Sequence, residues 1–134
     1  MKEGADIKVG DASSLKVSSD QIRVFHTKHW PRAIALSLDN FYRWQFEQSP
    51  DNHGQDRCVV ALQGDEIVGV MGLNRKRFWI KGRSTLAAEL TSWILAPEVR
   101  GFGIGRKMIA FLQREYDVLL GSGISDAALS IYLT

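Results

Sequence analysis

The chain has 134 residues, of which 45% are hydrophobic and 24% charged, and its formal net charge is +2. This length fits one domain, and the composition is that of a globular protein able to form a core. So small a net charge does not indicate nucleic-acid binding. The sequence has no apolar run long enough for a membrane helix, no signal-peptide pattern and a single cysteine, which together predict a cytoplasmic protein.

The first third of the chain has mainly helical patterns. Residues 6–9 are a weak strand candidate. A helix is predicted from Ser19, as its cap, to Trp30, and a second helix over 38–48. The polar stretch 51–56 is predicted to be a loop.

The middle of the chain has strand patterns. Residues 57–62 and 66–73 flank a Gln-Gly-Asp turn signal and predict a β-hairpin. A further strand is predicted over 86–95. Five basic residues lie between these strands, where they form either a solvated hairpin tip or a site that attracts an anionic ligand. They are Arg75, Lys76, Arg77, Lys81 and Arg83.

The last third combines helices with one short strand. An amphipathic helix with an apolar stripe is predicted after residue 103, and residues 118–120 are a buried strand candidate. A final helix is predicted over 125–132, with a cap near Ser125. The predicted order is therefore two helices, three strands, a helix, a strand and a helix, with one candidate strand in front.

A glycine-rich segment, Arg100-Gly-Phe-Gly-Ile-Gly105, joins a predicted strand to a predicted helix. Its glycines let the backbone approach a ligand closely, and the first N–H groups of a helix lack internal partners and favour an anion such as pyrophosphate. The dinucleotide fingerprint requires a glycine where Arg106 stands, and the Gly-Lys-Ser/Thr of a P-loop is missing. A surface turn before an ordinary helix is the alternative.

The segment resembles motif A of the GCN5-related N-acetyltransferases (GNAT), which is Arg/Gln-x-x-Gly-x-Gly/Ala after a strand that ends like Leu95-Ala-Pro97. The predicted element order is similar to that of the family. The resemblance implies an α/β (α+β) fold with a mixed, mostly antiparallel central sheet flanked by helices, and a β-bulge and splay at the coenzyme site. It implies one acetyltransferase-like domain over 1–134, expected to be C-terminally incomplete because family members usually continue for two more strands.

The resemblance also implies acetyl-CoA as the acyl donor. Its pyrophosphate would lie over the glycine loop, and its pantetheine arm would pair with the end of the preceding strand and contact the final helix. The residues expected to bind the coenzyme are Ile94, Leu95, Ala96, Arg100, Gly101, Phe102, Gly103, Ile104, Gly105, Arg106, Ser125 and Ala128. No metal is expected, because no cysteine or carboxylate set accompanies the histidines at 26 and 29.

Two residues are candidates for acid–base catalysis. Glu89 stands eleven residues before Arg100, where some family members carry a general base; the alternative is a solvent-facing strand carboxylate. In an unbroken strand Glu89 and Trp93 would share a face, and a bulge would change that parity. Tyr132 follows Ala128 as in the family's Asn-x-x-Ala-x-x-x-Tyr, whose tyrosine points at the coenzyme sulfur; the alternative is a core aromatic.

The resemblance implies an N-acyltransferase that moves acetyl from acetyl-CoA to a primary amine by direct attack in a ternary complex. The acceptor is expected to be a small-molecule amine. An amino sugar is one candidate, because the residues around Trp44 resemble those of acetyltransferases encoded with polysaccharide-synthesis genes. Neither nucleic acid nor a membrane is an expected partner, and a homodimer is one candidate assembly. The alternative function is a non-catalytic acyl-CoA-binding module of a larger protein.

Overall fold

A computed structural model describes residues 6–30, 34–121 and 131 and has a mixed five-stranded sheet within them. The sheet order follows the chain, from β1 to β5. Neighbouring strands are antiparallel except for β4 and β5, which run parallel. The predicted mixed, mostly antiparallel sheet is thus confirmed. The strands are β1 Ile7–Asp11, β2 Val59–Gln63, β3 Glu66–Ile80, β4 Arg83–Leu95 and β5 Val118–Gly121.

The α-helices that lie wholly within the described part of the chain, beside this sheet, are α1 Ser19–His29, α2 Asp39–Tyr42 and α3 Ile104–Glu115. The predicted second helix is present, but after α2 it widens into a π-helical turn, Arg43–Glu47. The final helix predicted over 125–132 lies outside the described residues except for Ile131, which is helical. Short 3₁₀-helices occur at Ala35–Ser37, Pro50–Asn52 and Pro97–Val99.

The first helix begins with a reciprocal pair of hydrogen bonds. The Gln21 N–H donates to Ser18 Oγ at 3.2 Å, and the Ser18 N–H donates to Gln21 Oε1 at 2.8 Å. This capping box satisfies two donors that the helix start would leave unpaired. The prediction that Ser19 caps the helix is wrong, because only Ser18 has a glutamine three positions later.

Helices pack closely on both faces of the sheet where β3 has glycines. A Cβ at Gly72 would lie against Thr91 and 2.7 Å from Phe46 Cζ in the π-helical turn. A Cβ at Gly69, on the opposite face, would lie 3.3 Å from Met108 Sδ of α3. We refer to these as the α2 face and the α3 face of the sheet.

The hairpin of β3 and β4 is longer than the sequence predicted. Its pairing continues to Ile80 and Arg83, which enclose a two-residue turn. Lys81 and Gly82 form this turn with φ of 50° and 77°, as a tight hairpin turn requires. The five basic residues therefore lie along a two-stranded arm, residues 75–85, and not in an irregular tip. We call this segment the basic arm.

A polar network lies in the core beneath α2. The Tyr42 hydroxyl donates to Asp56 Oδ2 at 2.5 Å, and the Cys58 N–H donates to Asp56 Oδ1 at 2.9 Å. All three residues are buried. Burial raises the pKa of the Cys58 thiol well above its usual value, which keeps it protonated and supports a structural role for this cysteine.

His26 of α1 is buried close to this network. Only 1% of the residue is exposed, and its ring centroid lies 6.3 Å from that of Tyr42. Neither ring nitrogen has a hydrogen-bond partner of good geometry among the residues that the structure describes. Burial lowers the pKa of His26 from 6.5 to about 4, and the nearby Leu36 backbone offsets a smaller part.

We predict that His26 makes the fold acid-sensitive. His26 binds a proton near pH 6.5 in the unfolded chain but only near pH 4 in the folded chain. Its contribution to the free energy of unfolding is therefore complete above pH 6.5 and is lost as the pH falls towards 4. The loss should reach about 3 kcal/mol. In urea titrations across this range, His26→Leu should flatten the decline in unfolding free energy. His53→Gln, at an exposed position, serves as the control, and an unchanged slope in His26→Leu would contradict the prediction.

Candidate active site

The central irregularity of β4 is a bulge at Ser92. Met71 of β3 pairs with Trp93 and Gly72 pairs with Thr91, so Ser92 has no partner on β3. The extra residue reverses the alternation of side chains along β4. Thr91 therefore lies on the α2 face and Trp93 on the α3 face. The predicted bulge is confirmed, and Glu89 and Trp93 lie on opposite faces.

Beyond the bulge, β4 has an open edge. Its pairing with β5 runs from Ala87 to Leu90, and no strand of the described part of the chain continues along it. The Ala96 N–H donates to Val68 O on β3 at 2.8 Å. By the alternation of the ladder, the amide groups of Ile94 and Ala96 are directed towards β3, and those of Leu95 towards the open edge.

Arg100 folds back onto the end of this edge. Its Nη2 and Nε atoms donate to the Leu95 carbonyl oxygen at 3.1 and 3.3 Å. The 3₁₀-helix Pro97–Val99 makes this return possible, with Val99 buried beneath it. The guanidinium thus lies at the junction between the open edge and the glycine loop.

The glycine loop leads into α3 without a side-chain cap. Gly101 and Gly103 have φ of 87° and 80°, values that other residues rarely adopt. The N–H groups of Ile104 and Gly105 meet no acceptor in the described part of the chain, because the first turn of a helix supplies none. Exposed Phe102 and Arg106 flank this helix start, and unpaired donors of this kind favour an anion.

Gly105 fixes how the loop packs on the α3 face. A Cβ there would lie 3.1 Å from Cζ2 of Trp93 and 3.2 Å from Cδ1 of Ile131. The missing side chain lets the indole pack beneath the start of α3, and residue 131 lies beside it. The predicted site residues Ser125, Ala128 and Tyr132 lie outside the described residues.

Glu89 lies on the α2 face, opposite Asn74 in the register. Its Oε2 is 3.2 Å from Lys76 Nζ, and 37% of the carboxylate side chain is exposed. It lines a cavity of about 570 Å³, which we call the Glu89 groove. One wall is the start of the basic arm, and the other comes from the π-helical turn and the segment after it, with Trp44 prominent.

Further polar and aromatic groups line this groove. Asn74 is only 6% exposed, and its Oδ1 has no hydrogen-bond partner among the described residues. An unsatisfied buried acceptor of this kind favours a ligand that donates hydrogen bonds. Trp44 is 61% exposed and lines the groove together with Phe78.

Asn52 is a residue that sequence reasoning missed. Its Nδ2 donates to the carbonyl oxygens of Phe46 at 2.7 Å and Leu73 at 3.3 Å, and its Oδ1 accepts from the Arg75 N–H at 2.9 Å. It is fully buried and ties one wall of the groove to β3. Its position in a polar loop carries no further signal, because the three partners are backbone groups.

Within the described ranges, no helix is long and apolar enough to cross a membrane. Among the same residues, no group of three or more His, Cys, Asp or Glu side chains is arranged to hold a metal ion.

Comparison with known proteins fits this geometry. The model of the acetyltransferase (GNAT) family matches residues 21–123. The chain belongs to this family. No curated protein sequence gives a significant match.

Several solved structures share the fold at low sequence identity. A transcriptional regulator from Bacillus halodurans C-125 has a TM-score of 0.66 at 16% identity, covering 96% of this chain and 90% of its own. Glucosamine-6-phosphate N-acetyltransferase from Arabidopsis thaliana has a TM-score of 0.64 at 12% identity, with coverages of 96% and 88%. The acetyltransferase AAC(6')-Iy, in complex with the bisubstrate analogue CoA-S-monomethyl-acetylneamine, has a TM-score of 0.56 at 16% identity, with coverages of 96% and 85%.

We predict that Asn52 stabilises the groove wall through its hydrogen bonds. Asn52→Ala leaves two buried carbonyls and one N–H without partners and should lower the free energy of unfolding by roughly 2–4 kcal/mol. Asn52→Asp keeps the shape but turns a carboxylate oxygen towards two carbonyl oxygens, so it should be at least as destabilising. Urea titration measures both, with Gln55→Ala at a neighbouring exposed position as the control. A near-neutral Asn52→Asp variant would show that shape alone matters.

Proposed function

We propose that the chain transfers an acetyl group from acetyl-CoA to a primary amine, by direct attack of the amine in a ternary complex. The observation that carries this proposal is the division of β4 by the Ser92 bulge. On one side lie an open strand edge and a glycine loop, which suit the coenzyme. On the other side Glu89 opens into a groove, which suits an amine.

The coenzyme would bind along the second half of β4. Its pyrophosphate would accept from the N–H groups of Ile104 and Gly105, with the Arg100 guanidinium close by. Its pantetheine arm would extend the sheet along the open edge, as an added strand does, and pair with backbone groups such as those of Leu95. The coenzyme portion of the analogue bound by AAC(6')-Iy supports this choice of ligand. The roles of Gly101, Phe102, Arg106, Ser125 and Ala128 stay predictions.

The amine would enter through the Glu89 groove. Glu89 and Asn74 pair across the two strands, and the Glu89 carboxylate and Asn74 Oδ1 would accept hydrogen bonds from the nitrogen. Glu89 would take the amine proton, directly or through one water, while Lys76 holds the carboxylate in place. The neutral amine would then attack the thioester carbon, and the C–S bond would break after the tetrahedral intermediate forms. The nitrogen would give up its extra proton to solvent as the amide forms.

Two charges that develop in this reaction need partners. The Leu95 N–H, directed towards the open edge, would donate to the thioester oxygen as it becomes negative. The hydroxyl of Tyr132 would protonate the departing thiolate. The role of Tyr132 itself stays a prediction.

An amino sugar is our preferred acceptor. The groove combines the aromatic side chains of Trp44 and Phe78 with the amides of Gln45 and Gln48. Aromatic rings suit the apolar faces of a sugar ring, and amides suit its hydroxyl groups. The likeness in fold to glucosamine-6-phosphate N-acetyltransferase supports testing this class first.

We predict that Gly103→Val weakens coenzyme A binding more than tenfold, or by about 1.4 kcal/mol and above. A β-branched residue is strained at this φ of 80°, and its methyl groups would stand at the anion site. Gly54→Val is the matched control, because Gly54 has φ of 74° and equally open surroundings but lies far along the chain from the loop. Isothermal calorimetry measures affinity, and circular dichroism checks the fold. Equal affinities for both variants and the wild type would refute the coenzyme site.

We predict that Glu89→Gln lowers kcat by about 10²–10⁴-fold and changes coenzyme affinity little. The amide keeps the shape of the carboxylate but cannot accept the amine proton. Release of the coenzyme thiol from acetyl-CoA, followed with a panel of amines, measures the rate. Glu66→Gln, at an exposed position on the same sheet, is the control. Near-normal turnover of Glu89→Gln would leave Glu89 with only its structural role in the ion pair with Lys76. If the wild type binds the coenzyme tightly but releases no thiol, the non-catalytic module is favoured.

A further inference from the structure

The basic arm carries charge that the proposed reaction does not use. Of its five basic residues, only Lys76 has a role there, as the partner of Glu89. We infer that the arm recognises an anionic group on the acceptor, so that the acceptor is a primary amine that also carries a phosphate or a carboxylate. This inference rests on the proposed function and narrows its substrate class.

The arm lies at the wrong end of β4 to bind the phosphates of the coenzyme. Arg77 pairs with Leu86, nine residues before Leu95 on the same strand. At about 3.3 Å per residue, the arm and the start of the glycine loop are roughly 30 Å apart. The anion site at Ile104 lies beyond Leu95, so the basic residues are available for a different anion.

The start of the arm instead shares the Glu89 groove. Lys76 and Arg77 both line this groove with Glu89 and Asn74. Lys76 is paired with Glu89 at 3.2 Å, whereas Arg77 is exposed and has no ion pair among the described residues. One of these two cations therefore neutralises the carboxylate, and the other is left for a ligand.

The charge balance of the groove points the same way. Three cationic residues line it, Arg75, Lys76 and Arg77, against the two anionic residues Asp51 and Glu89, which leaves one positive charge (3 − 2). Arg75 is partly buried and donates through Nε to the Asp51 backbone oxygen at 2.9 Å, which fixes it as part of the wall. The excess charge is therefore carried by Arg77, whose forked guanidinium suits a phosphate or carboxylate.

The distance between Glu89 and Arg77 suits a small acceptor whose amine and anionic group lie at opposite ends. Asn74, opposite Glu89, lies three residues before Arg77, or about 10 Å along β3. Arg77 pairs with Leu86, so by the alternation of the strand its side chain starts on the α3 face. It has to reach the groove around the edge of β3, as Arg75 of the same parity does to bond the Asp51 carbonyl oxygen. An amine held at Glu89 would thus place an anion several bonds away within reach of Arg77.

Matched acceptor pairs test the inference on the 134-residue chain. One pair is glucosamine 6-phosphate and glucosamine, and the other is 6-aminohexanoate and 6-aminohexanamide. With acetyl-CoA as donor, kcat/KM for the anionic member should exceed that for the neutral member about tenfold or more in at least one pair. The pair that shows the preference identifies phosphate or carboxylate as the recognised group. Equal kcat/KM within both pairs would overturn the inference and leave the proposed function intact.

Variants of the arm assign the preference to a residue. Arg77→Gln should reduce the preference about tenfold, mainly through a higher KM for the anionic acceptor, and Arg77→Lys should restore part of it. Lys81→Gln removes a charge from the turn of the same arm, outside the groove, and should keep the wild-type preference. If Arg77→Gln and Lys81→Gln lose the preference for the anionic acceptor equally, the arm acts through its overall positive potential. That outcome would overturn recognition by Arg77.

A binding measurement separates the two proposals. Failure of every amine, neutral or anionic, to release the coenzyme thiol would refute the proposed transfer reaction. Calorimetry with glucosamine 6-phosphate and 6-aminohexanoate in the presence of coenzyme A would still decide the inference. The inference is supported if the wild type binds either anionic amine and Arg77→Gln weakens that binding about tenfold. Binding that is equal to that of the neutral partners overturns it.

Discussion

The unpaired residue at Ser92 determines what β4 can do. Side chains of a regular strand alternate between faces, so a residue and its neighbour four positions on would always share a side. With one extra residue inserted, Glu89 remains on the face of the groove while Trp93 turns to the face of α3. A single strand can therefore hold the proposed coenzyme on one flank and the proposed base on another.

This arrangement depends on glycines that allow unusually close packing. Gly72 brings the π-helical turn against the strand just before the bulge, and Gly105 lets the Trp93 indole pack under α3 just after it. A β-carbon at Gly72 would collide with its neighbours, and one at Gly105 would press on the Trp93 ring. The bulge is thus held between two helices, which limits how far this part of β4 can relax towards a regular strand.

The sequence predicted best those features that are encoded locally. The glycine loop, the helix after it and the hairpin from Val59 follow from turn residues and short-range periodicity. The bulge and the mostly antiparallel sheet came from the family resemblance, and the structure contains both.

Features that depend on distant partners were harder to predict. The strand character of residues 75–85 was missed because charged residues between two strands resemble a solvated tip; it arises from cross-strand pairing that the sequence does not display. The cap at Ser18 was misplaced by one residue because two serines compete, and only the glutamine three positions later distinguishes them. Asn52 gave no signal, since its partners are main-chain groups.

The bonds made by Asn52 also bear on how such a domain could acquire new substrates. The wall around Trp44 is fastened to β3 by the side chain of Asn52, which bonds only to backbone atoms, and by the bond from Arg75 Nε to the Asp51 backbone oxygen. Backbone atoms are the same whatever residues surround them, so the wall can change its exposed side chains without losing its attachment. The groove therefore behaves as an exchangeable module on a constant scaffold, and an engineer who transplants it should carry Asn52 along with the lining residues.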